Sequence, residues 1–204
     1  MIDLIEKGGI VMYPIFLCSI VALAVFIERL LVLRRKRIIP GEFVQAIEAQ
    51  ITAQDIKGAM AMCEKDDSSI SNIFLSGLKN AGKGMWLVKE AIEERGGRES
   101  IILEKRVGIL STIAQLSPLL GLLGTVSGMI KTFNVISLQG VGNPTMLAGG
   151  ISEALITTAT GLCVAIPALV CYRIVKDKAD SLIFEMEENS VRIIELLDNT
   201  AKAV

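Results

Sequence analysis

Apolar and polar positions along this chain alternate on a coarse scale, with three long uncharged stretches set between segments rich in charge. Residues 10–27 are 18 positions without a charge, followed by Glu28-Arg29, four apolar residues and the cluster Arg34-Arg35-Lys36-Arg37. Residues 107–130 are 24 uncharged positions, and residues 132–172 carry a single charge, Glu153. That third stretch is interrupted by Gly140, Gly142, Asn143 and Pro144. Asn-Pro reads as an N-cap followed by the first helical position, so a helix is predicted to start near Pro144. At a rise of about 1.5 Å per residue, each stretch can cross a hydrocarbon core of about 30 Å. The pattern predicts an all-α integral membrane protein with three transmembrane helices, at residues 10–33, 107–130 and 146–172, and a connecting loop at 131–145.

The remaining segments also look helical. Phe43, Ile47 and Ile51, then Ile56 and Met60, recur at helical spacing, as do Trp86 or Leu87 with Ile92, and Trp86 reads as core packing. Gly41, Gly58, Gly82-Lys83-Gly84 and Gly96-Gly97 read as breaks or caps. Past Tyr172 the pattern Leu182/Ile183, Met186, Ile193/Ile194 and Leu197 continues amid alternating charge, so the third span is expected to run on as one long helix.

Basic residues give the orientation. Arg34, Arg35, Lys36, Arg37, Lys105, Arg106, Arg173, Lys176 and Lys178 flank one side of the spans, and only Lys7 and Lys131 flank the other. The positive-inside rule then places residues 1–9 outside, and residues 34–106 and 173–204 in the cytoplasm as long helical extensions. Lys7 and Ala22-Leu23-Ala24 also match a cleavable signal, but the apolar run passes that site and ends in Arg34–Arg37, the opposite charge asymmetry, so a retained helix is expected.

Composition narrows the chemistry. Of 204 residues 51% are hydrophobic and 21% charged, with a net charge of −1, and the mean hydropathy is +0.55. This apolar excess exceeds what a soluble core needs, and no basic footprint for nucleic acid exists. The chain has no histidine, which excludes Ser–His and Cys–His catalysis, histidine-ligated metal and a histidine proton shuttle. Cys18, Cys63, Cys163 and Cys171 form no CxxC pair and read as small buried hydrophobes. No metal, cofactor or enzymatic constellation is expected.

The second span carries Ser117, Gly121, Gly124 and Gly128 at spacings of four, three and four, which puts them on one helical stripe. The third repeats the device with Ala154, Thr158, Gly161, Ala165 and Ala168, while Thr157 and Thr160 lie on an adjacent face with Glu153. Small residues let helices approach closely where lipid supplies no hydrophobic drive for association. Gly124 to Lys131-Thr132 has no GKT core and lies in an apolar span, so a phosphate loop is rejected.

Glu153 is about 14 Å along a helix begun at Pro144, past the first turn where the helix dipole would hold a carboxylate. No lysine or arginine lies within the second or third span to neutralise it. It is therefore protonated, or it faces water, or its partner is another chain; a shallower helix would make it an interfacial carboxylate. An ion-pathway role is the default for an acid at that depth.

Residues 117–130, Ser-Pro-Leu-Leu-Gly-Leu-Leu-Gly-Thr-Val-Ser-Gly-Met-Ile, resemble the second-helix signature of the TolQ/ExbB branch of the MotA/TolQ/ExbB proton-channel family. Residues 150–168, from Gly-Ile-Ser-Glu-Ala-Leu-Ile-Thr-Thr to Ala-Ile-Pro-Ala, resemble its third-helix signature. Gly149 stands where relatives often have proline, and Ser127 where several have tryptophan. The resemblance implies a homopentamer whose pore holds two copies of an ExbD/TolR-like single-span protein, with a TonB- or TolA-like protein as a further partner and lipid around the outside. It implies that Thr125, Thr158 and Glu153 line the proton pathway, that the titrating aspartate belongs to the partner, and that the complex works in the bacterial inner membrane. The rival expectation is a non-conducting scaffold. A small-solute transporter is disfavoured by the lack of an internal repeat.

Overall fold

The computed structural model describes residues 8–139 and 144–202. Residues 1–7 and 140–143, which carry most of the expected outer terminus and part of the expected loop, lie outside the described residues. Among the described residues every regular element is helical: α1 (Met12–Val32), α2 (Arg35–Ile38), α3 (Gly41–Thr52), α4 (Ile56–Cys63), α5 (Ser69–Leu78), α6 (Met85–Glu104), α7 (Val107–Gln139) and α8 (Pro144–Lys202). Three helical stretches are long and apolar enough to cross a membrane, with mean hydropathies of 2.5, 1.6 and 2.0 over their most apolar windows. The chain is thus an all-α, multi-pass membrane protein.

The residues divide into two compact units: residues 29–105 with 175–204, and residues 1–28 with 106–174. In the first unit, α3 to α6 pack in succession. Asp55 caps α4 by accepting from the Gly58 N–H at 2.9 Å, and Ser68 caps α5 by accepting from the Ser71 N–H at 3.2 Å. The core stripe of α5, with Ile70, Ile73 and Phe74 fully or almost fully buried, meets Val88 and Ile92 of α6. Gly77 allows this contact, because a Cβ there would fall 2.6 Å from Ile92 Cδ1. The C-terminal part of α8 presents Val175, Ala179, Leu182, Met186, Ile193 and Leu197, all buried at three-, four- and seven-residue spacings. Ion pairs fasten its flanks: Arg35 Nε donates to Glu185 at 2.9 Å, Lys176 to Glu104 at 2.6 Å and Arg192 to Glu48 at 3.3 Å. Hydrogen bonds from Lys176 to Glu104 and Asp180 hold its ammonium pKa above the usual lysine range.

Two expectations for this unit need correction. Trp86 is 72% exposed rather than a core residue. The buried face of α6 is carried by Val88, Ile92, Glu99 and Leu103, and Trp86 is off that stripe. Gly96-Gly97 does not break the chain but sits inside α6. The pair costs roughly 1 kcal/mol per glycine in a helix, and the packing of α6 against α5 offsets it. The break occurs instead at Gly82–Gly84, where Gly84 caps α6 with φ +111°, a backbone conformation suited to glycine.

In the second unit, α7 continues without interruption to Gln139, through residues expected in the connecting loop. No glycine or proline falls between Ile130 and Gln139 to end it. The following helix starts at Pro144, where the Asn-Pro signal placed it. Leu119, Leu122, Leu123 and Val126 face outward from α7 and are half or more exposed, which leaves an apolar surface for lipid or neighbouring helices.

Candidate functional site

The small residues of α7 and α8 meet each other. Ser117, Gly121, Gly124, Gly128 and Thr132 form the buried stripe of α7, and Ala154, Thr157, Gly161, Ala165 and Ala168 that of α8. The helices come so close that added Cβ atoms would collide. At Gly161 a Cβ would lie 2.6 Å from the Ser117 carbonyl oxygen, at Gly121 3.0 Å from Thr158 Cα, at Gly124 2.3 Å from Thr157 Cγ2, and at Gly128 2.7 Å from the Gly150 carbonyl oxygen. A Cβ at Gly150 would fall 2.2 Å from Thr132 Oγ1. The register is antiparallel, and the stripes read from the sequence as Ser117, Gly121, Gly124, Gly128 and as Ala154, Gly161, Ala165 pair within one chain. Backbone proximity of this kind gains van der Waals contact that larger side chains would forbid.

The sequence placed Thr158 in the small stripe, whereas the fully buried position belongs to its neighbour Thr157. Thr158 lies at the edge of the contact and is partly buried, and its hydroxyl donates across to the Gly121 carbonyl at 3.0 Å. Thr125 is partly exposed, and its hydroxyl donates within its own helix to the Leu122 carbonyl at 2.6 Å. Each hydroxyl retains acceptor capacity toward a further donor.

Glu153 has a charged partner in its own chain, a possibility outside the sequence reading of a protonated acid, a water-facing acid, a partner in another chain or an interfacial carboxylate. Lys131 Nζ lies 2.5 Å from Glu153 Oε1. Lys131 is one residue beyond the uncharged stretch that ends at 130. Because α7 remains helical there, the antiparallel register brings it beside the first turns of α8. The single hydroxyl proton of Thr157 is shared between two carbonyls, that of Glu153 one turn back in α8 at 2.6 Å and that of Gly8 at 3.1 Å. Gly9, at φ +69°, passes so near that a Cβ would stand 2.0 Å from Glu153 Oε1.

Sequence reasoning missed Lys131, Thr132, Gly150, Gly8 and Gly9, and set Thr157 aside from the packed stripe. The usable signal was the register itself. Once Gly121 is set against Gly161 and Gly128 against Ala154, Lys131 must come near Glu153.

Comparison with known proteins gives consistent matches. Residues 65–188 match the model of the MotA/TolQ/ExbB proton channel family. The chain is 35% identical to the ExbB-like 1 protein of Synechocystis sp. over 182 residues, 85% of this chain and 70% of that relative. It is 43% identical to the biopolymer transport protein ExbB of Salmonella typhimurium over 96 residues, 42% of this chain and 38% of the relative. It is 48% identical to the Tol-Pal system protein TolQ of Haemophilus influenzae over 75 residues, 37% of this chain and 33% of the relative.

Proposed function

The chain belongs to the MotA/TolQ/ExbB proton channel family, and on that premise we propose that it is the multi-span subunit of an inner-membrane complex that uses the proton motive force to energise transport or maintenance of the cell envelope. The observation that carries the reading is the family match across residues 65–188, which takes in all of α7 and the packed face of α8. The basic flanks set the topology: N-terminus outside, residues 34–106 and the tail in the cytoplasm. Five copies surround a lumen that holds two copies of an ExbD/TolR-like single-span protein, whose membrane acid takes up and releases the proton. Relatives named as biopolymer transport protein ExbB and as Tol-Pal system protein TolQ support a role in an ExbB- or TolQ-type system, the longer match being ExbB-like.

Thr125 and Thr158 are the polar wall in this reading. Their small-residue neighbours are already used in the α7–α8 contact, so the two threonines remain as hydroxyl-bearing positions at its margin. A hydroxyl oxygen there can accept a hydrogen bond from water or from the partner's acid while that acid is protonated. Moving one charge through 100 mV releases about 2.3 kcal/mol, so a few protons suffice for a mechanical step of the inner helices. The activity is transport coupled to work rather than bond-making chemistry.

The test is the double substitution Thr125→Ala with Thr158→Ala, measured as proton flux into vesicles containing the chain and its single-span partner. Loss of flux with normal assembly is expected, since an interhelical hydrogen bond contributes only about 0.6 kcal/mol in a membrane bundle. Unchanged flux would overturn the pore reading and leave a non-conducting scaffold.

A further inference from the structure

The carboxylate of Glu153 is flanked on two sides by its own chain. Lys131 of α7 supplies a counter-charge at 2.5 Å. The backbone at Gly9 closes over the same carboxylate oxygen, at a φ of +69° that favours glycine and so near that a Cβ would stand 2.0 Å from Oε1 and displace the carboxylate. One turn along α8, Thr157 is fully buried and brings the Gly8 carbonyl to α8 through a hydroxyl shared with the Glu153 carbonyl. The Thr157 methyl group fills the space left by the missing side chain of Gly124. Three segments therefore converge on two side chains: the stretch leading into α1, the middle of α7 and the early turns of α8.

A group that carries protons through a pore must gain and lose its charge and reach water or the next carrier at each turn. Glu153 is placed for the opposite task. Its side chain is only 18% exposed, and its attraction to Lys131 is complete only while one is a carboxylate and the other an ammonium. Lys131, itself half-exposed, covers the carboxylate on the side that a proton carrier would have to leave open.

We propose that Glu153 is a positioning residue, fastened by Lys131, and that beside Thr157 it seats the segment leading into α1 on the α7–α8 pair. The proton route past Thr125 and Thr158 does not run through its carboxylate. This rests on the pore reading above, and it replaces the pathway role that the sequence resemblance gave to Glu153. Lys131 is accordingly required as a cation of suitable reach, not as a proton donor.

The test uses four variants of the full chain: Lys131→Met, Glu153→Gln, the two combined, and Lys131→Arg. Two quantities are read, the thermal unfolding midpoint in detergent and proton flux in vesicles containing the single-span partner. Each single neutralisation is expected to lower the midpoint by several degrees and the flux severalfold, because it leaves one charge without its partner. The combined variant should recover most of both losses, and Lys131→Arg should restore what Lys131→Met loses. Midpoint losses that simply add in the combined variant would overturn the fastening role. A combined variant that folds like the parent but passes no protons would overturn the exclusion of Glu153 from the route. If the parent chain itself passes no protons, the pore reading falls, and the additivity of the midpoints still decides whether the pair fastens α1.

Discussion

Thr158 donates its hydroxyl to the backbone carbonyl of Gly121 on the facing helix, at 3.0 Å. That bond can form because Gly121 has no side chain: a Cβ there would stand 3.0 Å from Thr158 Cα and 3.3 Å from the Thr157 carbonyl. The polar and small-residue features of the two helices are thus one feature. Glycine brings the backbones together, and the threonine hydroxyl then finds a carbonyl that another residue would have shielded.

The glycines of this contact should differ in what they tolerate. A Cβ at Gly161 meets only backbone, the Ser117 oxygen at 2.6 Å and Gly121 Cα at 3.1 Å, so no rotamer change can relieve it. Gly161→Ala is expected to cost about 1–3 kcal/mol, the range for overpacking a tight core. Gly149→Ala, with nothing within 4 Å, should be neutral or slightly stabilising, since alanine is the better helix former. Thermal unfolding of the two variants in the same detergent gives the comparison, and equal midpoints would refute the close approach.

How much of this was legible beforehand follows from what sequence spacing encodes. The stripe Ser117, Gly121, Gly124, Gly128 was readable because a helix has one period, and small residues in lipid have few uses. Spacing alone does not say whether the facing stripe belongs to the same chain, and here it does. Thr157 and Thr158 could not be ranked, because Ala154 and Gly161 can be joined on one face through a three-residue or a four-residue step. Lys131 was passed over because hydropathy ends a span at the first charge, whereas the backbone continues until glycine or proline stops it. Trp86 was misplaced because α6 carries charges on most faces, including the buried Glu99, which blurs its apolar period.

The Ser117 hydroxyl is completely buried and has no hydrogen-bond partner among the described residues. A buried polar group left unpaired costs about 1–3 kcal/mol. Ser117→Ala removes that cost without adding volume beside Gly161. The variant is expected to unfold at a higher temperature than the parent. A lower midpoint would mean that the hydroxyl is satisfied by a buried water.

Gly96 and Gly97 offer a second route to a more stable chain. Both lie within α6, and a Cβ at either position meets nothing within 4 Å. Gly97→Ala should therefore stabilise by about 0.5–1 kcal/mol through helix propensity alone. Measured on the isolated chain, the gain should appear in the unfolding midpoint. A loss of assembly accompanying that gain would show that a neighbouring molecule uses the bare backbone.

Cys63 sets a pH dependence whose sign can be worked out. Its side chain lies in the core of the first unit, 2% exposed, and burial, followed by the nearby charges of Asp66 and Glu64, pushes the thiol up to about 12 from an ordinary value of 9.0. Between those two values the unfolded chain releases a proton that the folded chain keeps, so stability falls as pH rises through this window. Below pH 9 the contribution is complete and constant. Cys63→Ala should lower the midpoint below pH 9, because it opens a small cavity, and should flatten the decline above pH 9, so that the difference from the parent shrinks as pH rises. A thiol reagent below pH 9 should leave Cys63 unmodified until the chain unfolds, because the reactive thiolate is scarce and the sulfur is covered. Modification of the folded chain at the rate of an open thiol would contradict the burial from which both expectations follow.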